Sequence, residues 1–118
     1  MKIIQLESIG IGNYKVGNVT FDVRRHAIER LEERHVPITT AREFLRRVAE
    51  STNELQQFEV GESFWVYSEG LDIAFGMRKL ESGKIQWATS IIGAPKGDRN
   101  PTVSIYESLF FSRKNCNF

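Results

Sequence analysis

The sequence predicts an α+β fold in which two short helices pack on an antiparallel β-meander sheet. Three observations lead there. Apolar residues recur at helical spacing between Val23 and Ser51. After Ser51 the period changes to two, and the segments of period two follow one another across short turns that contain glycine. At 118 residues the chain has the common size of one domain, so residues 1–118 are read as a single domain. A hydrophobic fraction of 41%, with eight Phe and two Trp, suffices for a core and is too rich in large apolar side chains for a disordered chain.

Taken in order, Tyr14 to Phe21 (YKVGNVTF) places Gly17-Asn18 between two β-prone segments, which reads as a hairpin with a two-residue turn. A first helix is expected over residues 24 to 35, with Ala27, Ile28 and Leu31 facing the sheet. Pro37 closes it, because the residue before a proline avoids the α region. A second helix is expected over residues 40 to 50: Thr40 with Glu43 fits a capping box, and Ala41, Phe44, Leu45 and Val48 fall at i, i+3, i+4 and i+7. Phe64 to Tyr67, Leu71 to Arg78 and Ile85 to Ile92 then form the meander. Leu71, Ile73, Phe75 and Met77 share its core face, and Asp72, Ala74, Gly76 and Arg78 the opposite one. Gly93 to Pro101 is a loop, and Thr102 to Phe111 a last strand or a short helix.

Composition narrows the function classes. No apolar run approaches the roughly 20 residues of a membrane span, and the N-terminal residues lack the long apolar region of a signal peptide, so a cytoplasmic protein without a membrane partner is expected. The single cysteine, Cys116, has no intramolecular partner, which suits a reducing compartment. Net charge is +1, yet seven of the ten arginines fall between Arg24 and Arg47, so a basic face depends on geometry rather than on the total. The two histidines are nine residues apart with no cysteine cluster and no HExxH spacing, so neither a metal site nor a cofactor is expected. The loop GAPKGDRNP lacks the GxxxxGK[ST] spacing of a P-loop.

The sharpest signal lies on the first helix, where His26, Arg30 and Arg34 form a column at i, i+4 and i+8 beside the apolar stripe. Like-charged neighbours on a helix call for a compensating carboxylate or an anionic ligand such as phosphate. Arginines beside a core stripe also commonly lay their methylenes along it and keep the guanidinium in water. Trp65, Tyr67 and Trp87 have the chemistry to stack bases, but aromatics in a meander more often serve as core or cross-strand pairs.

The stretch His26-Ala27-Ile28-Glu29-Arg30-Leu31-Glu32-Glu33-Arg34, followed by a second helix and a meander, resembles the HxxxRxxxR opening of the RelE-like endoribonuclease superfamily. Its pattern is nearest to the RegB-like phage early-mRNA nucleases and to toxin-like HAxxRxxxR domains, over roughly residues 20 to 95. The resemblance implies metal-independent cleavage of single-stranded mRNA, with His26 and Arg30 as catalytic residues. The substrate's 2′-hydroxyl would be the nucleophile, so the protein supplies a base, a proton donor and cations. Arg34, Arg78, Lys79, Lys96 and Arg99 are the candidate RNA-binding residues, and the ribosome or a host protein a candidate helper. One departure stands out: RegB-like enzymes carry a further histidine on the second helix, and Ala41 to Ser51 has none. The alternative is therefore a non-catalytic small phage protein of the same fold that binds and inhibits a host enzyme or defence complex.

Overall fold

In the computed structural model, which describes residues 11–81, 83–93, 102–103 and 109–113, Gly17 turns the chain at φ 60° and joins β1 (Gly12–Val16) to β2 (Val19–Val23). Val16 pairs with Val19, so the turn has the two residues expected. Positive φ falls on Gly17 and not on Asn18, the pattern of a turn with glycine in its first central position.

Helix α1 (Arg25–Glu33) buries Ala27 and Leu31. Its end is closed by backbone geometry as well as by the nearby proline. The Val36 amide donates to the Leu31 carbonyl at 3.0 Å and the His35 amide to Glu32 at 3.2 Å, with His35 in the left-handed region at φ 56°. This is a Schellman closure with histidine where glycine is usual. Left-handed backbone costs a side-chain-bearing residue roughly 1–2 kcal/mol, and glycine forfeits about 0.5–1 kcal/mol in the unfolded chain. His35→Gly is therefore expected to raise stability by about 0.5–1 kcal/mol, read from urea denaturation.

Helix α2 (Ile38–Glu50) begins two residues earlier than the sequence pattern suggests. Pro37, fixed at φ −64°, is the residue preceding it, and its carbonyl accepts from the amides of Thr40 at 3.0 Å and Ala41 at 3.2 Å. The Thr40–Glu43 capping box accordingly does not form, because Thr40 is already inside the helix. Glu43 is instead engaged by Arg46 and Arg47. Ala41, Phe44, Leu45, Val48 and Ala49 are buried. A short α3 (Thr52–Gln56) follows where alternation of period two was expected, with the Ser51 carbonyl accepting from the Leu55 amide at 3.0 Å.

The remaining strands are β3 (Ser63–Ser68), β4 (Ile73–Lys79), β5 (Lys84–Ile92), β6 (Thr102–Val103) and β7 (Leu109–Ser112), in a sheet of order β1-β2-β5-β4-β3-β7-β6. The fold is α+β as predicted, and β3-β4-β5 is the predicted meander, but the sheet is mixed rather than antiparallel. β2 and β5 pair in parallel, Phe21 against Ile85 and Val23 against Trp87. The β1–β2, β3–β4 and β4–β5 pairings are antiparallel because a short connection joins each pair; the β2–β5 seam is non-local, bridged by three helices and two strands, and no turn constrains its direction. Leu71 and Asp72 are also a correction: they sit in the turn before β4, and Leu71 is 43% exposed instead of facing the core.

One side of the sheet carries the core. Leu31, Phe44, Leu45, Val48, Ile73 and Phe75, all expected to be buried, belong to a single apolar cluster with Phe21, Met77 and Trp87. Phe75 stacks between Phe44, at 4.1 Å between ring centroids, and Trp87, at 4.3 Å. On the opposite side, the small residues Ala74 and Gly76 lie directly across from Tyr67 and Trp65. Ala74 and Trp65 are both buried, so the small positions accommodate large cross-strand neighbours. At the end of β7 the Arg113 guanidinium lies over the Phe58 ring, 4.8 Å from its centroid, donates to the Gln57 carbonyl at 3.0 Å and pairs with Glu62.

The hydrogen bond from Arg113 holds the Glu62 carboxyl below the ordinary carboxylate range, against a smaller opposing effect of burial. A depressed carboxyl contributes stability above its unfolded pKa that is lost as pH falls through the folded one. Glu62→Gln should thus lower the melting temperature at neutral pH and converge with the unmodified protein under acid conditions, as followed by thermal unfolding across a pH series.

Candidate functional site

The start of α1 is tied to the sheet by the Arg24 amide, which donates to the Trp87 carbonyl of β5 at 3.1 Å. Because Trp87 is wholly buried in the core, the first turn of α1 is held against a rigid support. Burial of Ala27 and Leu31 then fixes the helix rotation and leaves His26 and Arg30 on the accessible side, their side chains 52% and 37% exposed. The helix has no acidic residue in its first turn and no side-chain cap. Arg24, Arg25 and His26 instead stand at the positive end of the helix dipole, an arrangement that disfavours itself, and the Asp22 carboxylate answers Arg24 at 3.4 Å.

The structure brings His26 and Arg30 together. Arg30 Nε donates to His26 Nε2 at 3.2 Å, while Arg30 Nη1 is bonded to Glu33 Oε1 at 2.7 Å. His26 Nδ1 faces Glu29 Oε1 at 4.0 Å. The like-charge column read from the sequence is therefore relieved within α1 itself: two carboxylates one turn away answer the histidine and the arginine. Spacing alone shows that His26 and Arg30 are neighbours; the donor–acceptor contact and the part of Glu29 and Glu33 emerge only with the rotamers. Arg34 is exposed one turn further on and makes no ion pair among the described residues.

The other candidates lie elsewhere. Arg78 and Lys79 are adjacent on β4 and so project to opposite sides of the sheet. Lys79 points to the helical side, where its ammonium donates to the carbonyls of Leu55 at 3.2 Å and Phe58 at 2.8 Å and closes the end of α3. Arg78 occupies the far side, donating to Ser63 Oγ at 3.0 Å. Strand register there aligns Asn13, Asp22, Gln86, Arg78 and Ser63 in one polar row across five strands. Neither residue is bonded to His26 or Arg30 among the described residues. Lys96 and Arg99 lie outside the described residues. Trp87 is a core residue whose indole donates to Thr89 O at 3.1 Å and Ser90 Oγ at 3.2 Å, which removes it as a base-stacking platform. Tyr67 is half-buried and bonded to Asp72 at 2.8 Å.

Among the described residues no group of three or more His, Cys, Asp or Glu side chains is placed to hold a metal ion, and no helix is long and apolar enough to cross a membrane. No family model, curated protein or solved structure matches this chain.

Proposed function

We propose that this protein is a metal-independent endoribonuclease of RelE-like fold that cleaves single-stranded RNA by attack of the substrate's own 2′-hydroxyl. The observation that carries the reading is the 3.2 Å contact between Arg30 and His26 on the accessible side of α1. It sets a titratable imidazole beside a planar cation suited to bidentate phosphate contact. In this reading His26 is the base, Arg30 grips the scissile phosphate, and Arg34 with Arg25 steers the flanking chain. Arg78, on the far side of the sheet, is a further candidate RNA contact, as are Lys96 and Arg99. Single-stranded RNA is the partner, and cytoplasm, with or without the ribosome, the setting.

Incubation of labelled RNA with the purified protein in EDTA tests this directly. Fragments ending in 2′,3′-cyclic phosphate and 5′-hydroxyl are expected, since those ends report 2′-hydroxyl attack. One feature favours the second reading, a non-catalytic protein that binds and inhibits a host enzyme or defence complex: α2 supplies no histidine to serve as a second proton-transfer group. Stable complexes without any cleavage would select it.

A further inference from the structure

The guanidinium of Arg30 is engaged on both of its edges, Nε by His26 Nε2 and Nη1 by Glu33 Oε1. An arginine Nε–H only donates, so His26 Nε2 must accept with its lone pair, and the neutral ring then carries its proton on Nδ1, the atom that faces Glu29. In this arrangement neither ring nitrogen is available to take a proton from a substrate hydroxyl. Nε2 is occupied by Arg30, and Nδ1 is already protonated.

We propose that Arg30 is a phosphodiester-operated latch on His26. An RNA phosphodiester that takes the side edge of the guanidinium, Nε with one Nη, displaces His26 and frees its Nε2 at the moment the substrate arrives. The inference rests on the nuclease reading and adds to it an order of events, with Glu33 as the positioning residue that aims Arg30 while the site is empty. The exchange is favourable on electrostatic grounds. His26 and Glu33 are solvent-exposed and Arg30 is half-buried at the surface, where ion pairs on a helix are weak. A phosphodiester offers two non-bridging oxygens that share one negative charge, in the geometry that matches the guanidinium fork, a stronger charge-assisted contact than a neutral imidazole acceptor. Side-on binding requires the Nε that His26 now holds, so phosphate and imidazole compete for one donor.

The test is nitrogen-15 NMR of the imidazole in the full chain, titrated with a dinucleotide phosphodiester whose 2′-hydroxyl is replaced by hydrogen, so that it binds without being cut. The free protein should show a protonated Nδ1 and an Nε2 displaced by its hydrogen bond. On addition of the dinucleotide, the Nε2 resonance should move toward that of an unbonded pyridine-type nitrogen. In Arg30→Lys, which keeps the charge but not the fork, it should start near that position and stay there. Glu33→Gln should tighten dinucleotide binding by loosening the competing hold on Arg30. A proton on Nε2 in the free protein overturns the latch, as does an unmoved Nε2 while the Arg25 and Arg34 amides report binding. Loss of all α1 responses overturns both the latch and the phosphate site. A moved Nε2 in a protein that cuts no RNA upholds the latch and removes the nuclease reading, so the two fail separately.

Discussion

Phe75→Ala is expected to lower the unfolding free energy by about 3–5 kcal/mol. Phe75 is fully buried, lies between Phe44 and Trp87, and is contributed by the central region of the sheet, so its removal opens a cavity that two other rings line. A rigid sheet on one side and α2 on the other limit collapse into that space. Domains of this size have about 5–15 kcal/mol in hand, so a substantial fraction of the stability would go. Urea denaturation followed by tryptophan fluorescence measures the loss, and Leu71→Ala is the contrast. Leu71 is exposed in the turn before β4, and its truncation should stay within about 0.5 kcal/mol. A loss below about 1 kcal/mol for Phe75→Ala would contradict the packing described.

On activity, His26→Ala and Arg30→Ala are each expected to slow RNA cleavage by about 100-fold or more, the range for removing a positioned proton-transfer group or a transition-state cation. Neither should disturb the fold, since His26 is exposed, Arg30 is only half-buried, and neither belongs to the apolar core. Losing the Arg30–Glu33 pair costs at most about 1 kcal/mol. Arg30→Lys separates charge from geometry: it keeps the attraction to phosphate but loses the planar fork, and should fall between the unmodified protein and the alanine variant. A fall in melting temperature that tracks lost activity would mark the residues as structural.

Much of this architecture is legible in the sequence because its signals are local. The Gly17-Asn18 turn, the i, i+3, i+4, i+7 stripe of α2 and the alternation along β4 each fix an element from within a few residues. The parallel β2–β5 seam is not legible, because it joins segments separated by three helices and two strands, with no turn chemistry to announce it. The start of α2 is misread for a similar reason. Thr40 and Glu43 match a capping box, but Pro37 already supplies an extended residue whose carbonyl begins the helix, and Glu43 finds stronger partners in Arg46 and Arg47. At the candidate site, spacing puts His26 and Arg30 on one face. Which arginine nitrogen meets which imidazole nitrogen depends on side-chain torsions that no pattern encodes. Arg78 and Lys79 show the converse. Strand alternation separates them to opposite faces, and that was readable; that α3 exists to occupy Lys79 was not, because its five residues carry no apolar periodicity of their own.

The central claim is that His26 and Arg30 act as one unit on RNA, and a double-mutant cycle on cleavage tests it most directly. Single-turnover rates on one labelled RNA in EDTA would be compared for the unmodified protein, His26→Ala, Arg30→Ala and the double variant. Residues that work as a unit are non-additive, so the double variant should cleave no more slowly than the worse of the two singles. Full cleavage by both single variants, or losses that simply multiply in the double, would contradict the account.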